Sequence, residues 1–262
     1  MKILVCMKQV PASSKVDIDP ETGAMKRLSG ETRTNPYDLF ALEMALQIRE
    51  EIGGTVTVLT MGPAQAEEMI RDAYTMGADA GVILSDKKFA GADVLATSYA
   101  LAQGIQVIGD VDLIICGRQT TDGDTAQVGP AIAEHMNIPH AAWVSEITKV
   151  SSQSIQVKQD LVSLSQTSEI PYPCLITIDK DTCVPRLPSY KLKKATADRP
   201  IRILGFEDMP DQDLSRYGLV GSPTSVERMF APPEADQQEY LQGSAKEKAA
   251  ALVNVLLKKK MI

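Results

Sequence analysis

The chain reads as an α/β protein built on a doubly wound, mostly parallel sheet, and three observations point there. Short apolar runs at residues 3–6, 56–59, 81–84 and 113–116 alternate with helical stretches at 39–51, 63–76, 92–109 and 126–136, the alternation that builds an open parallel sheet with helices on both faces. The apolar runs are short and bounded by Gly or polar residues, as buried strands are. Finally, a polar, Gly-containing loop follows the fourth strand and leads into a helix, so the loops after the strands should converge on one crevice beyond their carboxyl ends.

The elements follow in order. Helix 39–51 places Leu39, Leu42, Ala45, Leu46 and Ile48 on or near one face and turns Glu43, Arg49 and Glu50 away, so it packs on the sheet. Asn35-Pro36-Tyr37-Asp38 precedes it, with Asn35 or Asp38 available as its cap. Thr60-Met61-Gly62-Pro63 joins the second strand to a helix that begins at Pro63, leaving free N–H groups over the crevice. Asp93 and Thr97 lie one turn apart on the third helix, facing either solvent or a ligand. In the fourth unit Asp124 stands where an N-cap is expected, with Gln127 three residues on in the manner of a capping box.

Beyond this the pattern changes. Residues 143–162 alternate as short polar strands, and 143–170 reads as an antiparallel hairpin at the sheet edge. Residues 174–179, introduced by Pro171-Tyr172-Pro173, resemble a last sheet strand. Residues 180–232 carry many prolines and scattered charges and read as an extended arm that needs a partner surface. A final amphipathic helix over 244–260 presents Ala249, Leu252, Val253, Leu256 and Leu257 on one side and ends in three lysines favoured by a helix C-terminus. The expected division is an α/β domain over 1–183 and an arm with its helix over 184–262.

Composition narrows the function. A chain of 262 residues with 44% hydrophobic content supports one large core, and a net charge of -7 disfavours a nucleic-acid binder, which needs clustered Lys and Arg. No apolar run reaches the ~20 residues that span a bilayer, and Lys8 interrupts the first apolar segment too early for a signal peptide, so a cytoplasmic protein, or a matrix protein without its presequence, is expected. Four cysteines without a CxxC pair and two histidines, His135 and His140, offer no zinc or iron–sulfur pattern. Cys6, Cys116 and Cys174 lie in or at the end of strand-like runs and read as small buried hydrophobes. No nucleophile–base pair, P-loop or nucleophile elbow is visible.

What remains is the loop after the fourth strand. Backbone N–H groups at the following helix N-terminus favour an anion, commonly a phosphate, and Gly123, Thr125, Ala126, Gln127 and Val128 are the best placed to supply them. Asp122 and Asp124 would repel a phosphate, which leaves capping and loop shaping, or hydrogen bonds to a ribose or an adenine amino group. Arg118 suits a cofactor phosphate or an interface ion pair.

The same residues carry a family resemblance. Gly117-Arg118-Gln119, followed by Asp122-Gly123-Asp124-Thr125-Ala126-Gln127-Val128-Gly129-Pro130, resembles the adenine-nucleotide loop of the electron transfer flavoprotein beta subunit. Residues 1–11, Asn35-Pro36-Tyr37-Asp38 with Ala41-Leu42-Glu43, Thr60-Met61-Gly62-Pro63, Met76-Gly77-Ala78-Asp79 and Gly91-Ala92-Asp93 with Ala96-Thr97 agree in order. The resemblance runs from residue 1 to about 203 and more weakly to the end. It implies a Rossmann-like sheet of the adenine nucleotide alpha hydrolase-like kind, with cofactor contacts at Met7, Lys8, Asn35, Asp38, Thr60, Met61, Gly62, Asp93, Thr97, Cys116, Gly117, Arg118, Asp122, Gly123, Asp124, Thr125, Ala126, Gln127 and Val128. Arg118 could then also polarise a flavin ring.

Family members pair with an alpha subunit that holds an electron-carrying FAD. Ordinary beta subunits bind a structural AMP; those of the electron-bifurcating branch bind a second FAD at the same place. Val10-Pro11, Val16-Asp17-Ile18-Asp19, Thr22-Gly23, Arg27, Ser85-Asp86 and Ala96-Thr97-Ser98-Tyr99 resemble the bifurcating branch, although Ala12-Ser13-Ser14 departs from its usual run. The implied reaction takes hydride from NAD(H) and sends electrons to ferredoxin or flavodoxin and, through the alpha subunit, to an acyl-CoA dehydrogenase-like or lactate dehydrogenase-like partner. The basic segment Arg186, Lys191, Lys193, Lys194, Arg199 and Arg202 follows Pro185-Arg186-Leu187-Pro188, which is similar to the family's partner-recognition loop, with Leu192 available as an apolar anchor; its positive charge would steer an acidic partner, or simply solvate the arm.

Overall fold

The computed structural model describes residues 1–12, 17–18, 25–26, 32–161, 163–227 and 240–262. The readings placed on Ser13, Ser14, Val16, Asp19, Thr22, Gly23, Arg27, Val162 and residues 228–232 lie outside the described residues, as do the side chains of Asp17 and Ile18. The chain forms β1 (Lys2–Cys6), β2 (Gln9–Pro11), β3 (Asp17–Ile18), β4 (Met25–Lys26), β5 (Thr32–Thr34), α1 (Pro36–Ile52), β6 (Thr55–Met61), α2 (Glu67–Met76), β7 (Ala80–Leu84) and α3 (Val94–Ile108). It continues through β8 (Leu113–Gly117), α4 (Val128–Met136), β9 (His140–Val150), β10 (Ser154–Leu161), β11 (Leu164–Pro171), β12 (Cys174–Ile178), α5 (Tyr190–Ala195), β13 (Arg202–Leu204) and α6 (Ala245–Lys258).

One sheet of nine strands runs β11-β10-β9-β12-β8-β1-β6-β7-β13. Its strands pair in parallel from β9 through β13, and only β10 and β11 are antiparallel additions. The doubly wound, mostly parallel sheet is therefore the observed architecture. Alternate residues of each strand feed two cores. Ile3, Val5 and Ile115 face α1 and α2 through Leu42, Leu46 and Ile70, while Leu4, Cys6, Ile114 and Leu175 face α3 and α4 through Tyr99, Leu101 and Ile132. The chain winds outward from β1 through β6 and β7, then returns to lay β8 on the other flank of β1. The β1/β8 boundary is thus the topological switch point, where strands diverge and leave a crevice at their carboxyl ends.

Three expectations change. The edge hairpin over 143–170 is a three-stranded meander: β9 begins at His140, turns through 151–153 into β10, and β10 pairs antiparallel with β11. The sheet does not end at residue 179, because Arg202–Leu204 pairs in parallel with β7 and buries Leu204, and the chain after it buries Phe206, Met209 and Tyr217. A three-residue strand with Arg202 and Ile203 exposed carries too little alternation to read from sequence. Glu43, expected to face away from the core, is 4% exposed because Arg186 of the later chain lies over it.

The contacts divide the chain into two compact units, Met1–Asp17 with Lys26–Glu227 and Ile18–Met25 with Arg228–Ile262. In the second, α6 starts from Ser244, whose hydroxyl accepts from the Glu247 amide while the Glu247 carboxylate accepts from the Ser244 amide, a capping box. Its Leu252, Val253 and Leu257 are exposed. No helix of the described residues is long and apolar enough to cross a membrane.

Close packing of α2 on β7 rests on Gly81, where an added Cβ would stand 2.2 Å from Ile70 Cγ2 and 2.9 Å from the Tyr74 hydroxyl. Because Ile70 is β-branched and stiff, Gly81→Ala should lower the urea midpoint at unchanged slope, by about 1–3 kcal/mol in stability. An unchanged midpoint would mean that α2 does not lie on this strand.

Candidate functional site

At the switch point β1 and β8 run side by side, with Cys6 opposite Cys116. Both thiols are buried, and the hydrogen bond that the Cys116 thiol donates to Cys6, together with burial, holds Cys116 well above its ordinary pKa, so it is not a nucleophile. Immediately beyond them the chain of β1 continues through Met7 and Lys8, and that of β8 through Gly117 and Arg118. Met7 is buried, its amide donating to the Leu59 carbonyl of β6 at 2.9 Å.

Asp38, in the first turn of α1, ties these strand ends together. Its carboxylate accepts the Lys8 amide at 2.7 Å and lies against Asn35 and Gly117, whose polar groups favour its charged form. A Cβ on Gly117 would come within 2.3 Å of Asp38 Oδ1 and 2.8 Å of the Tyr37 carbonyl carbon, so only glycine admits this approach of α1 to β8. Asn35 occupies the N-cap position of α1 but its side chain makes no cap bond. Instead its Nδ2 donates to the Gln119 carbonyl at 2.9 Å and its Oδ1 accepts from the Thr121 amide at 3.3 Å. Lys8 Nζ spans to Asp122, 2.9 Å from Oδ1 and 2.7 Å from Oδ2. Burial raises the pKa of the Asp122 carboxyl, but hydrogen bonds from Lys8 and Thr120 outweigh it and hold the group below the usual carboxylate range.

The loop from 118 to 127 hangs from these ties, with residues 121–125 exposed. The helix after it begins at Val128, not at residue 126, and Asp124 is neither its N-cap nor part of a capping box: Gln127 holds the cap position without a side-chain bond. Asp124 and Ala126 adopt φ of 53° and 55°, left-handed conformations that cannot open a helix. The Asp124 carboxylate instead accepts from the Gln119 side chain, shaping the loop. Gln127, next after Ala126, is right-handed at φ -108°, and a left-handed residue beside a right-handed one is the backbone of an anion-binding nest. Among the described residues, the amides of Thr125, Ala126 and Gln127 have no acceptor.

Arg118 turns the other way. Its Nη1 binds Asp179 Oδ2 at 2.8 Å and its guanidinium lies 4.4 Å over the Trp143 ring, lining a cleft of about 400 Å³ with Asp160 and Leu164. Trp143, at φ 59°, sits where the β9/β12 register shifts, its amide donating to Thr177 Oγ1 at 2.9 Å. A bulge of this kind re-aims a side chain, and no sequence signal located Trp143, Asp179 or the Asn35–Gln119 tie.

The remaining residues named from sequence fall on neighbouring strand ends. Thr60 is buried, Met61 is half-buried, and the Gly62 amide donates to the Leu84 carbonyl at 3.0 Å. A 3-10 turn over Ala64–Ala66 precedes α2, so the helix expected from Pro63 starts at Glu67. Asp93 caps α3 through the Ala96 amide and binds Thr224 through its amide and hydroxyl, at 3.1 and 2.7 Å. Its carboxylate is thus occupied by the chain itself; Thr97 is half-buried on the next turn. His135 packs edge-on against Tyr99, away from any nucleophile.

In the basic segment, Lys191, Lys193 and Lys194 are exposed and Leu192 is half-buried. Arg186 does not project. Its guanidinium is engaged with Glu43 and Glu50 of α1.

Burial raises the Asp38 carboxyl from 3.8 to about 7, because the surrounding hydrogen bonds only partly offset the loss of water. A folded-state pKa above the unfolded one means that its stabilisation is complete below about pH 3.8 and is lost as pH rises through about 7. Relative to Asp38→Asn, the wild type should therefore lose stability across that window, by at most ~1.4 kcal/mol per pH unit. Denaturant unfolding against pH measures it, and a flat difference would show that Asp38 is ionised throughout.

Comparison with known proteins places this geometry in a family. Residues 22–206 match the electron transfer flavoprotein domain. The chain is 41% identical over 269 residues to the acryloyl-CoA reductase electron transfer subunit gamma of Anaerotignum propionicum, covering 100% of both chains. It is 42% identical over 264 residues to the caffeyl-CoA reductase-Etf complex subunit CarD of Acetobacterium woodii, again covering 100% of each. It is 41% identical over 257 residues to the electron transfer flavoprotein subunit beta of Thermoanaerobacterium thermosaccharolyticum, with 98% of each chain covered. A relationship of this length and depth means that the chain belongs to the electron transfer flavoprotein family, on its beta-subunit side.

Proposed function

We propose that this chain binds FAD in the crevice at the β1/β8 switch point and acts, paired with an electron transfer flavoprotein alpha subunit, as the NAD(H)-oxidising half of an electron-bifurcating complex. The observation that carries the nucleotide reading is the run of unpaired amides at residues 125–127, in a loop that leads into a helix N-terminus and has left-handed backbone at Asp124 and Ala126. The donor set fits a dinucleotide pyrophosphate. Thr125, Ala126, Gln127 and Val128 would hold phosphate oxygens, Lys8 would add charge on leaving Asp122, and Asp122 or Asp124 would accept from ribose hydroxyls. Arg118, fixed by Asp179 and Trp143, would stand beside the ring end of the cofactor.

When bound, FAD supplies the ability to take a hydride from NAD(H) and release electrons one at a time, while the protein sets its position and electrostatic surroundings. The chain's own residues bind and orient. Asp38 and Asn35 fix the loop to the strand ends, and the apolar floor of Met7, Cys6 and Cys116 excludes water from below. Support for bifurcation comes from the relatives named as subunits of acryloyl-CoA and caffeyl-CoA reductase complexes. By that analogy one electron goes to ferredoxin or flavodoxin and the other, through the alpha subunit, to an acyl-CoA dehydrogenase-like or lactate dehydrogenase-like partner. A positive segment around Lys191, Lys193 and Lys194 suits an acidic docking partner.

The direct test is flavin and AMP content per heterodimer after co-expression with the alpha subunit of the same organism. Two FAD and no AMP are expected; one FAD with one AMP would make the chain a simple electron carrier. Asp124→Ala and Thr125→Ala should lose the nucleotide of this subunit before the flavin of the alpha subunit, and equal loss of both would overturn the assignment of the loop.

A further inference from the structure

After β12 the chain leaves the sheet and crosses the outside of α1 as a strap. It is fastened at intervals. Thr182 Oγ1 donates to the Asp179 carbonyl at 2.8 Å, the Cys183 thiol to the Phe40 carbonyl at 3.6 Å, and the Ser189 amide to the Thr75 carbonyl at 2.9 Å. At the centre stands Arg186. Its backbone amide and Nε donate to Glu43 Oε2 at 3.0 and 2.8 Å, and Nη2 to Glu43 Oε1 at 3.0 Å. Its Nη1 and Nη2 reach Glu50 Oε1 and Oε2 at 2.6 and 3.1 Å. The planar fork of arginine matches two carboxylates at once, which lysine cannot do.

Val184 and Leu187, between these fastenings, are each 87% exposed, and Tyr190, just past the last of them, is 72% exposed. Burial of these three side chains therefore does not hold the strap down. The Arg186 fork does, over a Glu43 carboxylate whose side chain is 5% exposed. Burial raises the Glu43 pKa, but the Arg186 hydrogen bonds outweigh it and hold the group below its usual range. Three large apolar side chains kept proud of the surface, beside exposed Lys191, Lys193 and Lys194, match a partner protein with an apolar hollow rimmed by acidic groups.

We propose that Arg186 is a positioning residue for partner docking: clamped to Glu43 and Glu50 on α1, it holds the crest of Val184, Leu187 and Tyr190 in place so that the partner does not bear the entropy of ordering it. This rests on the reading of the basic segment as the docking surface. The sequence resemblance grouped Arg186 with the lysines as a contact, whereas the geometry assigns it to the support beneath the contact.

The test uses the purified heterodimer with a substrate-reduced acyl-CoA dehydrogenase as electron donor, reading KM and kcat, together with hydrogen exchange of the amides over 183–190. Arg186→Gln should speed that exchange and raise KM about tenfold, the loss expected for one charge-assisted hydrogen bond, with kcat nearly unchanged. Glu50→Gln, which spares the buried Glu43 pair and the fold, should shift both readouts in the same direction by less. Leu187→Ala and Tyr190→Ala should raise KM without changing the exchange. If the Arg186 and Glu50 variants loosen the strap at unchanged KM while Leu187→Ala raises it, the positioning role falls and the docking surface stands. If neither Leu187→Ala nor Tyr190→Ala alters KM, the docking surface itself is wrong. A fall in kcat at constant KM would also overturn the proposal.

Discussion

The crevice of this protein depends on one buried carboxylate. From within the first turn of α1, Asp38 accepts the Lys8 amide just after β1 at 2.7 Å and packs closely on Gly117 at the end of β8. An apolar side chain there would leave the part-buried Lys8 amide without its acceptor, at a cost of about 1–3 kcal/mol. A larger residue at 117 would push α1 off the sheet. The tie sits where the winding of the sheet reverses, the one place in such a fold where strands part without a helix between them. The loop from 118 to 127 starts at the strand end beside that group and is tied down by Asn35 and by the Lys8–Asp122 pair.

The second organising feature is how the chain after the sheet fastens itself. Residues 205–222 return to α3, where the Tyr99 hydroxyl binds the Asp211 carboxylate, Arg216 pairs with Asp211 at 2.8 Å and lies 3.8 Å over the Tyr99 ring, and the buried Tyr217 packs edge-on against Tyr99 and Phe206. Asp93 closes this return by binding Thr224. The β7 side of the sheet's carboxyl end is accordingly covered by the protein's own chain.

Much of this was legible in the sequence. The four apolar runs and their helices, the winding, and the polar loop after the fourth strand were visible because periodicity over ten or more residues and a Gly/Asp-rich break between them are strong signals. What escaped lies at shorter range or is tertiary in origin. Asp124 has the composition of an N-cap but not its backbone, since the left-handed turns at Asp124 and Ala126 delay the helix to Val128. Strand β13 is three residues long and half exposed. Trp143 reaches Arg118 through a register shift that no local pattern encodes. Glu43 reads as a solvated helix residue until Arg186, far along the chain, is laid over it.

The central claim is that nucleotide binds at the β1/β8 switch point, and hydrogen exchange of the heterodimer with and without added AMP or FAD tests it most directly. The account predicts that added protection concentrates at the amides of residues 124–128, with smaller gains at Lys8, Asn35 and Gly62. Protection centred instead on the 184–194 strap, with residues 124–128 unchanged, would contradict it.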